Sequence, residues 1–179
     1  RFNPHFRAIK QLIDSGEIGR VFRITINQSS SVANDRSAQN KWSYDPTRGG
    51  GVRLAMGVHL VDLARFFLDR DPDSVTGALD PIYKTRTPEG ENAFECFASN
   101  FVGTMMTFGE TVVEFSSISV SRLEEEFSIV IRGEEGDIVY DLNNYARVYK
   151  NIDEPQRLTS KEIDSEYESK ETKPYFSIF

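Results

Sequence analysis

The chain has 179 residues, of which 39% are hydrophobic, 12% aromatic and 27% charged, a composition typical of a folded globular domain and unlike that of disordered or collagen-like chains. Its net charge of −7 argues against a nucleic-acid partner, which requires a clustered basic face. One cysteine and two histidines exclude an internal disulfide and a Cys/His zinc site but not a carboxylate site for a hard cation, and we expect a cytoplasmic protein without a bound metal.

The first predicted element is an amphipathic helix that begins after Asn3. Asparagine is a preferred N-cap, and Pro4 is tolerated at the first helical position because its missing N–H would be unpaired there. Gly16 ends this helix. From residue 20 to residue 27 apolar and polar residues alternate, which predicts a strand. The apolar face of that strand consists of Phe22, Ile24 and Ile26.

A long loop and a second helix follow. Residues 28–51 are rich in Ser, Asn, Asp and Gly, and this loop is far longer than the usual connection of about 4 to 6 residues, which favours a functional role. Residues 52–69 are apolar over most of the helical circumference, so we expect this helix to be buried on more than one side. Its apolar run is interrupted by Asp62 and Arg65 and is shorter than the roughly 20 residues that a membrane span needs. We therefore expect no membrane contact.

The rest of the chain reads as strands separated by turn residues. The predicted strands are 74–84, 92–101, 104–108, 111–121, 126–132, 137–141 and 146–150. Short connections favour antiparallel neighbours, so we predict a meander, followed by an exposed charged connector at 153–173. Helices before a run of strands indicate the α+β class, with an open, largely antiparallel sheet and the helices on one face.

The second face of this sheet also needs a partner. Residues 111–121 carry apolar side chains on both faces of the predicted strand, so neither face is cleanly polar. A surface of this kind is typical of an interface between subunits. We expect a homodimer or higher homo-oligomer that stacks sheets face to face.

A cluster at residues 42–51 could carry chemistry. Three consecutive glycines, Gly49, Gly50 and Gly51, are unfavourable in backbone entropy and are expected where φ is positive or where a ligand approaches the main chain. The helix that follows would offer unpaired N–H groups to an anion or to hydroxyl oxygens. The alternative is a flexible hinge. Aromatic and guanidinium side chains beside the turn, Trp42, Tyr44 and Arg48, favour a binding surface.

His59 lies on the polar stripe of the second helix, together with Ala55 and Asp62. An imidazole can exchange protons near neutral pH, which makes His59 a candidate general base or proton relay; the alternative is a hydrogen-bonded structural histidine. The sequence contains no P-loop, no Ser or Cys nucleophile motif and no G-x-G-x-x-G. We therefore expect no Rossmann domain and no dinucleotide site within this chain.

Several motifs occur in a characteristic order: RFNPHF at 1–6, SGEIGRV at 15–21, Trp42, the glycines at 49–51 and GVHLVDL at 57–63. Together they resemble the C-terminal domain of the glucose-fructose oxidoreductase, inositol dehydrogenase and rhizopine-catabolism (Gfo/Idh/MocA) family. The resemblance covers essentially the whole chain and is strongest over residues 1–75. It implies a dihydrodipicolinate-reductase-like α+β domain whose open sheet mediates oligomerisation. It also implies an N-terminal domain that binds NAD or NADP, so that residues 1–179 would form the C-terminal, substrate-binding half of a two-domain oxidoreductase.

By this resemblance the full protein would transfer hydride to or from a sugar or polyol hydroxyl carbon, and the isolated domain would be inactive. His59 matches the family's helical histidine and would be the catalytic base. The family places an aspartate four residues earlier, where this chain has Ala55, which can neither accept a hydrogen bond through its side chain nor carry charge. The alternative is a non-catalytic sugar sensor or co-repressor-like member. The substrate-binding candidates are Trp42, Asp45, Arg48, Gly49, Gly50, Gly51 and Ala55.

Overall fold

A computed structural model describes residues 3–37, 42–87, 90, 92–123, 125–142 and 146–150, and the backbone of a strand at 155–157. The described chain contains helices α1 (Pro4–Asp14) and α2 (Val58–Leu68) and ten strands. The strands are β1 (Val21–Ser29), β2 (Ser74–Asp80), β3 (Thr85–Arg86), β4 (Phe94–Glu95), β5 (Phe101–Phe108), β6 (Thr111–Ile118), β7 (Glu126–Gly133), β8 (Asp137–Tyr140), β9 (Ala146–Tyr149) and β10 (Pro155–Arg157).

Eight of the strands form one sheet in the order β10-β9-β8-β7-β1-β6-β5-β2, and β3 and β4 form a separate pair. Strand β1 is parallel to β6 and antiparallel to β7, and the remaining neighbours in the sheet are antiparallel. The predicted α+β class with a largely antiparallel sheet is confirmed. The predicted meander is wrong at the centre, because β1 is inserted between β6 and β7.

Strand β1 also departs from strict alternation at its start. Its register with β7 shifts between Val21 and Arg23, as at a β-bulge. Val21 is consequently buried beside Ile24 and Ile26, while Phe22 is 40% exposed. The prediction that Phe22 shares the buried face of the strand is therefore wrong. The extra residue at the bulge places Val21, and not Phe22, on the same face as Ile24.

Both helices pack on one face of the sheet. The Asn3 side chain accepts a hydrogen bond from the His5 amide at 2.8 Å, which confirms the predicted N-cap of α1. The Phe6 ring of α1 meets the Phe67 ring of α2 edge to face, with centroids 6.2 Å apart. The buried strand residues beneath them are Ile24, Ile26, Val102, Met106, Val113, Phe115, Ile129, Ile131 and Ile138.

The second predicted helix, at 52–69, is divided into two types of turn. Residues Arg53–Gly57 form a π-helical turn, and regular α-helix begins only at Val58. The helix ends at Asp69, whose φ of 51° is left-handed. π-Turns within α-helices are frequent at functional sites.

Two other predictions are corrected by the structure. Of the predicted strand at 92–101, only Phe94–Glu95 and the first residue of β5 are strand. Within the predicted connector at 153–173, residues Pro155–Arg157 pair with β9; the rest of that connector lies outside the described residues. Neither helix of the described chain combines the length and apolarity required to cross a membrane.

The opposite face of the sheet carries no helix of the described chain. Directly paired residues form a row across this open face, running Val139, Val130, Thr25, Glu114 and Met105. Met105 is 50% exposed, and the others are only partly covered. This open face is the surface that the sequence indicates as a subunit interface.

Candidate functional site

A cleft of about 690 Å³ opens where β1 ends and the chain enters the long loop, and its size suits a small-molecule ligand. Residues 30–37 and 42–51 are called the cleft loop below. Besides the cleft loop, the walls come from the end of β1, the first turn of the π-helix, and the segments around Ala98–Asn100 and Glu125–Phe127. The cleft therefore gathers residues that are distant in sequence.

The glycine turn closes the cleft loop by tight packing. A Cβ on Gly50 would stand 2.5 Å from the Trp42 carbonyl oxygen, and a Cβ on Gly51 would stand 2.7 Å from the Ser99 amide. Gly49 and Gly51 have φ values of 88° and 97°, in the left-handed region. The amide of Gly50 donates to the Asp45 carbonyl at 2.8 Å. This close packing favours a fixed turn over the alternative of a flexible hinge.

The amide groups that follow the glycines are already paired within the chain. The Val52 amide donates to the Ser99 carbonyl at 2.7 Å, and the Arg53 amide donates to the Ser99 hydroxyl at 3.3 Å. The Leu54 and Ala55 amides donate to the Gly51 carbonyl at 3.1 and 3.0 Å. The interpretation of this helix start as a set of unpaired donors for an anion is therefore wrong, because Ser99 and Gly51 accept these hydrogen bonds.

Short polar side chains provide hydrogen-bonding groups on the cleft wall. They are Gln28, Ser29, Ser30, Ser43, Ser99, Asn100 and Ser119. Asn100 is held in place because its Oδ1 accepts from the Tyr83 amide at 2.9 Å. Hydroxyl and amide groups of this type can both donate to and accept from ligand hydroxyls. The Ser-rich composition of 28–51 pointed to part of this set, but no sequence pattern marked Ser99, Asn100 or Ser119.

Two aromatic side chains stand beside these polar groups. Trp42 is 48% exposed and lines the cleft. Tyr44 also lines the cleft. The guanidinium of Arg86 packs on the Tyr44 ring, with its carbon 3.7 Å from the ring centroid. An apolar aromatic surface next to hydroxyl and amide groups suits a ligand with both C–H faces and hydroxyls.

The charged lining of the described cleft is acidic. Asp35, Glu125 and Glu126 line it, and no Lys, Arg or His of the described residues does. Asp45 lies outside the lining and caps the turn Pro46–Arg48, where hydrogen bonds from the side chain and amide of Thr47 lower the pKa of its carboxyl. Within the described ranges, no group of three His, Cys, Asp or Glu side chains is arranged to hold a metal ion.

The structure brings together only part of the predicted set. Trp42, Gly51 and Ala55 line the cleft. The other candidates, Asp45, Arg48, Gly49, Gly50 and His59, are not in its lining. Gly50 instead packs closely against the Trp42 carbonyl.

His59 is exposed on the first turn of α2. Ala55, four residues earlier, lines the cleft. His59 follows at the start of the regular α-helix and is not in the cleft lining. Leu54 and Val58, 37% and 45% exposed, flank this position with apolar surface.

Comparisons with known proteins agree with this architecture. A sequence profile described as the GFO/IDH/MocA C-terminal domain matches residues 6–139. The inositol 2-dehydrogenase of Rhizobium meliloti (strain 1021) is 42% identical over 76 residues, which is 42% of this chain and 21% of that protein.

Solved structures with the same fold include a levoglucosan dehydrogenase in complex with NADH and L-sorbose, with a TM-score of 0.77 and 18% identity, covering 88% of this chain and 44% of that one. A super-repressor mutant of Gal80p from Saccharomyces cerevisiae matches with a TM-score of 0.72 and 15% identity, covering 87% of this chain and 43% of that one. The chain thus spans less than half the length of these relatives.

Proposed function

Because the chain belongs to the GFO/IDH/MocA family as a C-terminal domain, we propose that it binds the substrate and carries the subunit interface of an NAD(P)-dependent dehydrogenase. The proposed reaction transfers hydride to or from a hydroxyl-bearing carbon of a sugar or polyol. Residues 1–179 are the C-terminal part of the proposed enzyme, and a separate N-terminal domain is proposed to bind the dinucleotide.

The observation that carries this proposal is the composition of the cleft. Its wall presents hydroxyl and amide groups from Ser29, Ser30 and Asn100 beside the exposed ring of Trp42. Neutral, polyhydroxylated molecules match such a surface, because their hydroxyls can pair with the polar groups while their C–H faces cover the ring. Among the proteins similar to this chain, one is an inositol 2-dehydrogenase and another is a levoglucosan dehydrogenase whose structure is a complex with NADH and L-sorbose.

The chain itself does not fit the dinucleotide. The sequence has no G-x-G-x-x-G, and the amides after the glycine turn are occupied by Ser99 and Gly51. NAD or NADP, bound by the proposed N-terminal domain, would accept hydride from the substrate or supply hydride to it. The exposed surface of Leu54, Val58 and His59 beside the cleft is the proposed contact with that domain.

Within this reaction His59 is proposed to move a proton. Its exposed imidazole can accept the proton of the substrate hydroxyl when hydride leaves the same carbon, and return it in the reverse direction. Trp42, Gly51 and Ala55 are proposed to contact the sugar directly. Asp45, Arg48, Gly49 and Gly50 are proposed to act through the shape of the cleft loop, since none of them lines the cleft.

The open face of the sheet is proposed to form the homodimer or higher homo-oligomer. Val130 and Val139 are adjacent on neighbouring strands there, and Met105 is 50% exposed. Stacking two such faces would remove apolar surface from water without covering the cleft, which lies at the end of β1.

The test is a screen of the full-length protein against neutral sugars and polyols with NAD⁺ and with NADP⁺, followed by the absorbance of the reduced nicotinamide. We expect turnover of at least one neutral polyol. Calorimetric titration of the same panel is run in parallel. Binding together with the absence of turnover for every compound would contradict the dehydrogenase proposal.

A second candidate function is a sugar sensor or co-repressor-like protein without catalysis. It is favoured by Ala55, which lines the cleft at the position where the family has an aspartate. A structure of the repressor protein Gal80p shares the fold. For this alternative we expect sugar binding in the calorimetric titration and no change in nicotinamide absorbance.

A further inference from the structure

Arg86 is a buried cation that the proposed reaction does not use. It lies in β3, outside the main sheet, and its exposure is 0%. No carboxylate of the described residues lies within ion-pair distance of it, and its Nε is buried without an acceptor among them. Burying a guanidinium with no carboxylate partner among the described residues is unfavourable, so its other contacts must offset that cost.

Those contacts all lead to the cleft. Nη1 of Arg86 donates to the Asp35 carbonyl at 2.5 Å, and Nη2 donates to the Ala33 carbonyl at 3.1 Å. The guanidinium carbon stacks 3.7 Å from the centroid of the Tyr44 ring. Ala33, Asp35 and Tyr44 all line the cleft, and they come from two separate parts of the cleft loop.

We propose that Arg86 is the positioning residue of the cleft, which holds the two parts of the cleft loop in the geometry that binds the sugar. Arg86 cannot touch the ligand, because it has no exposed surface. It acts through Tyr44 and through the backbone at Ala33 and Asp35. This proposal rests on the proposed function only in identifying the ligand of the cleft as a sugar or polyol.

The planar shape of the guanidinium is required for this role. A single flat group donates two hydrogen bonds to carbonyls that are two residues apart and also covers an aromatic ring. A lysine ammonium keeps the charge but cannot make both carbonyl contacts and the stacking together. We therefore expect Arg86→Lys to behave more like Arg86→Met than like the wild type.

Arg36 provides a matched control. It belongs to the same loop, lies 5.4 Å from the ring centroid of Tyr83 and donates to the Thr85 carbonyl at 3.4 Å, but it is exposed. Arg36→Met therefore removes a similar set of contacts from the outer surface. We expect it to leave the cleft loop in place.

The first experiment is native-state proteolysis of the full-length protein, with cleavage sites mapped by mass spectrometry. We expect cleavage within residues 30–50 to accelerate about tenfold or more in Arg86→Met and Arg86→Lys and to stay near the wild-type rate in Arg36→Met. Equal cleavage in wild type and both Arg86 variants would overturn the proposal. So would equal acceleration in Arg36→Met.

The second experiment separates positioning from general stability by steady-state kinetics. We expect KM for the sugar to rise about tenfold or more in the Arg86 variants, while Kd for the reduced nicotinamide cofactor stays unchanged. Loss of folded protein would instead lower the apparent kcat at constant KM, and that pattern would overturn the proposal. If Arg86→Met does not fold, Arg86→Lys carries both experiments, and full rescue by lysine would also overturn it.

The two proposals fail in different ways. If the wild type turns over no sugar, the dehydrogenase proposal fails, and proteolysis together with calorimetric sugar binding decides the role of Arg86. If the wild type is active and the Arg86 variants keep its KM and its cleavage rate, only the positioning role fails.

Discussion

Gly50 is packed so closely against Trp42 that a Cβ on Gly50 would stand 2.5 Å from the Trp42 carbonyl oxygen. Backbone atoms on the far side of the turn cannot move away as a flexible side chain could. The close contact between Gly50 and Trp42 therefore requires a residue without a Cβ at position 50.

We expect Gly50→Ala to lower the free energy of unfolding by about 1–3 kcal/mol, as overpacking does in well-packed regions. Gly57→Ala is the matched control, because an added Cβ there meets its nearest atom, on Val102, at 3.8 Å and φ is helical. That variant should be neutral or slightly more stable. Chemical denaturation monitored by circular dichroism measures both, and equal destabilisation would contradict the packing argument.

His59→Ala in the full-length protein tests the proposed proton transfer. We expect kcat/KM to fall by about 10²- to 10⁴-fold, the usual contribution of a general base. Arg65→Gln is the control, because Arg65 lies on the same helix and pairs with Asp71 at 2.6 Å on the exposed surface. A loss of less than about tenfold in His59→Ala would exclude the imidazole as the base.

Ala55→Asp would introduce a carboxylate into the cleft, one turn before His59. Since Ala55 lines the cleft, the new carboxylate could accept a hydrogen bond from a substrate hydroxyl. We expect kcat/KM for polyols to rise on the order of tenfold. Ala55→Asn, which has a similar shape but no charge, should give a smaller gain. A decrease in both variants would show that the cleft is adapted to a small side chain at this position.

The raised pKa of the Tyr140 hydroxyl predicts that the folded chain loses stability in alkaline solution. Burial raises the pKa of its hydroxyl in the folded chain, against a hydrogen bond from Asn3 at 3.4 Å that lowers it. The unfolded chain releases this proton near pH 10, before the folded chain does, so stability is unaffected below that pH and falls as the pH rises above it.

We expect the melting temperature of Tyr140→Phe to depend less on pH between about 9 and 11 than that of the wild type. Val75→Ala, which removes no ionisable group from an exposed position, is the control and should keep the wild-type slope. Parallel curves for the wild type and Tyr140→Phe would contradict the assignment.

Val130→Glu tests the open face as the subunit interface. Val130 lies between Thr25 and Val139 in the row across that face, so a carboxylate there would be buried against the partner sheet. We expect the oligomer to dissociate at tens of micromolar protein in light scattering. Val75→Glu, at a 60% exposed position of the edge strand β2 on the opposite face, should leave the mass unchanged. A monomeric wild type would exclude the interface altogether.

Much of the fold could be predicted because it depends on neighbouring residues. The N-cap Asn3 is a local pattern that is found in the structure, and β6 lies within the predicted strand at 111–121. The reversal at Phe22 could not be predicted, since Val21 and Phe22 are both apolar and the sequence does not show which of them shares the face of Ile24. The π-turn at Arg53–Gly57 could not be predicted either, since the residues around it are apolar over most of the helical circumference.

The candidate site divides in the same way. Trp42, Gly51 and Ala55 could be identified from the composition of 42–51 and from the resemblance, and they line the cleft. Ser99 and Arg86 could not be identified, because their importance arises from contacts with residues 42 to 53 positions away in the chain.

The order of residues alone thus established the helix start, the strand periodicity and the family. Only folding in three dimensions decided that β1 separates β6 from β7, that Ser99 occupies the amides at the start of the second helix, and that Arg86 joins two parts of the cleft loop. The physical reason is that helix caps and strand periods depend on residues within one or two turns of chain. The order of the strands and the contacts of a buried cation depend instead on which long-range contacts are most stable in the folded state.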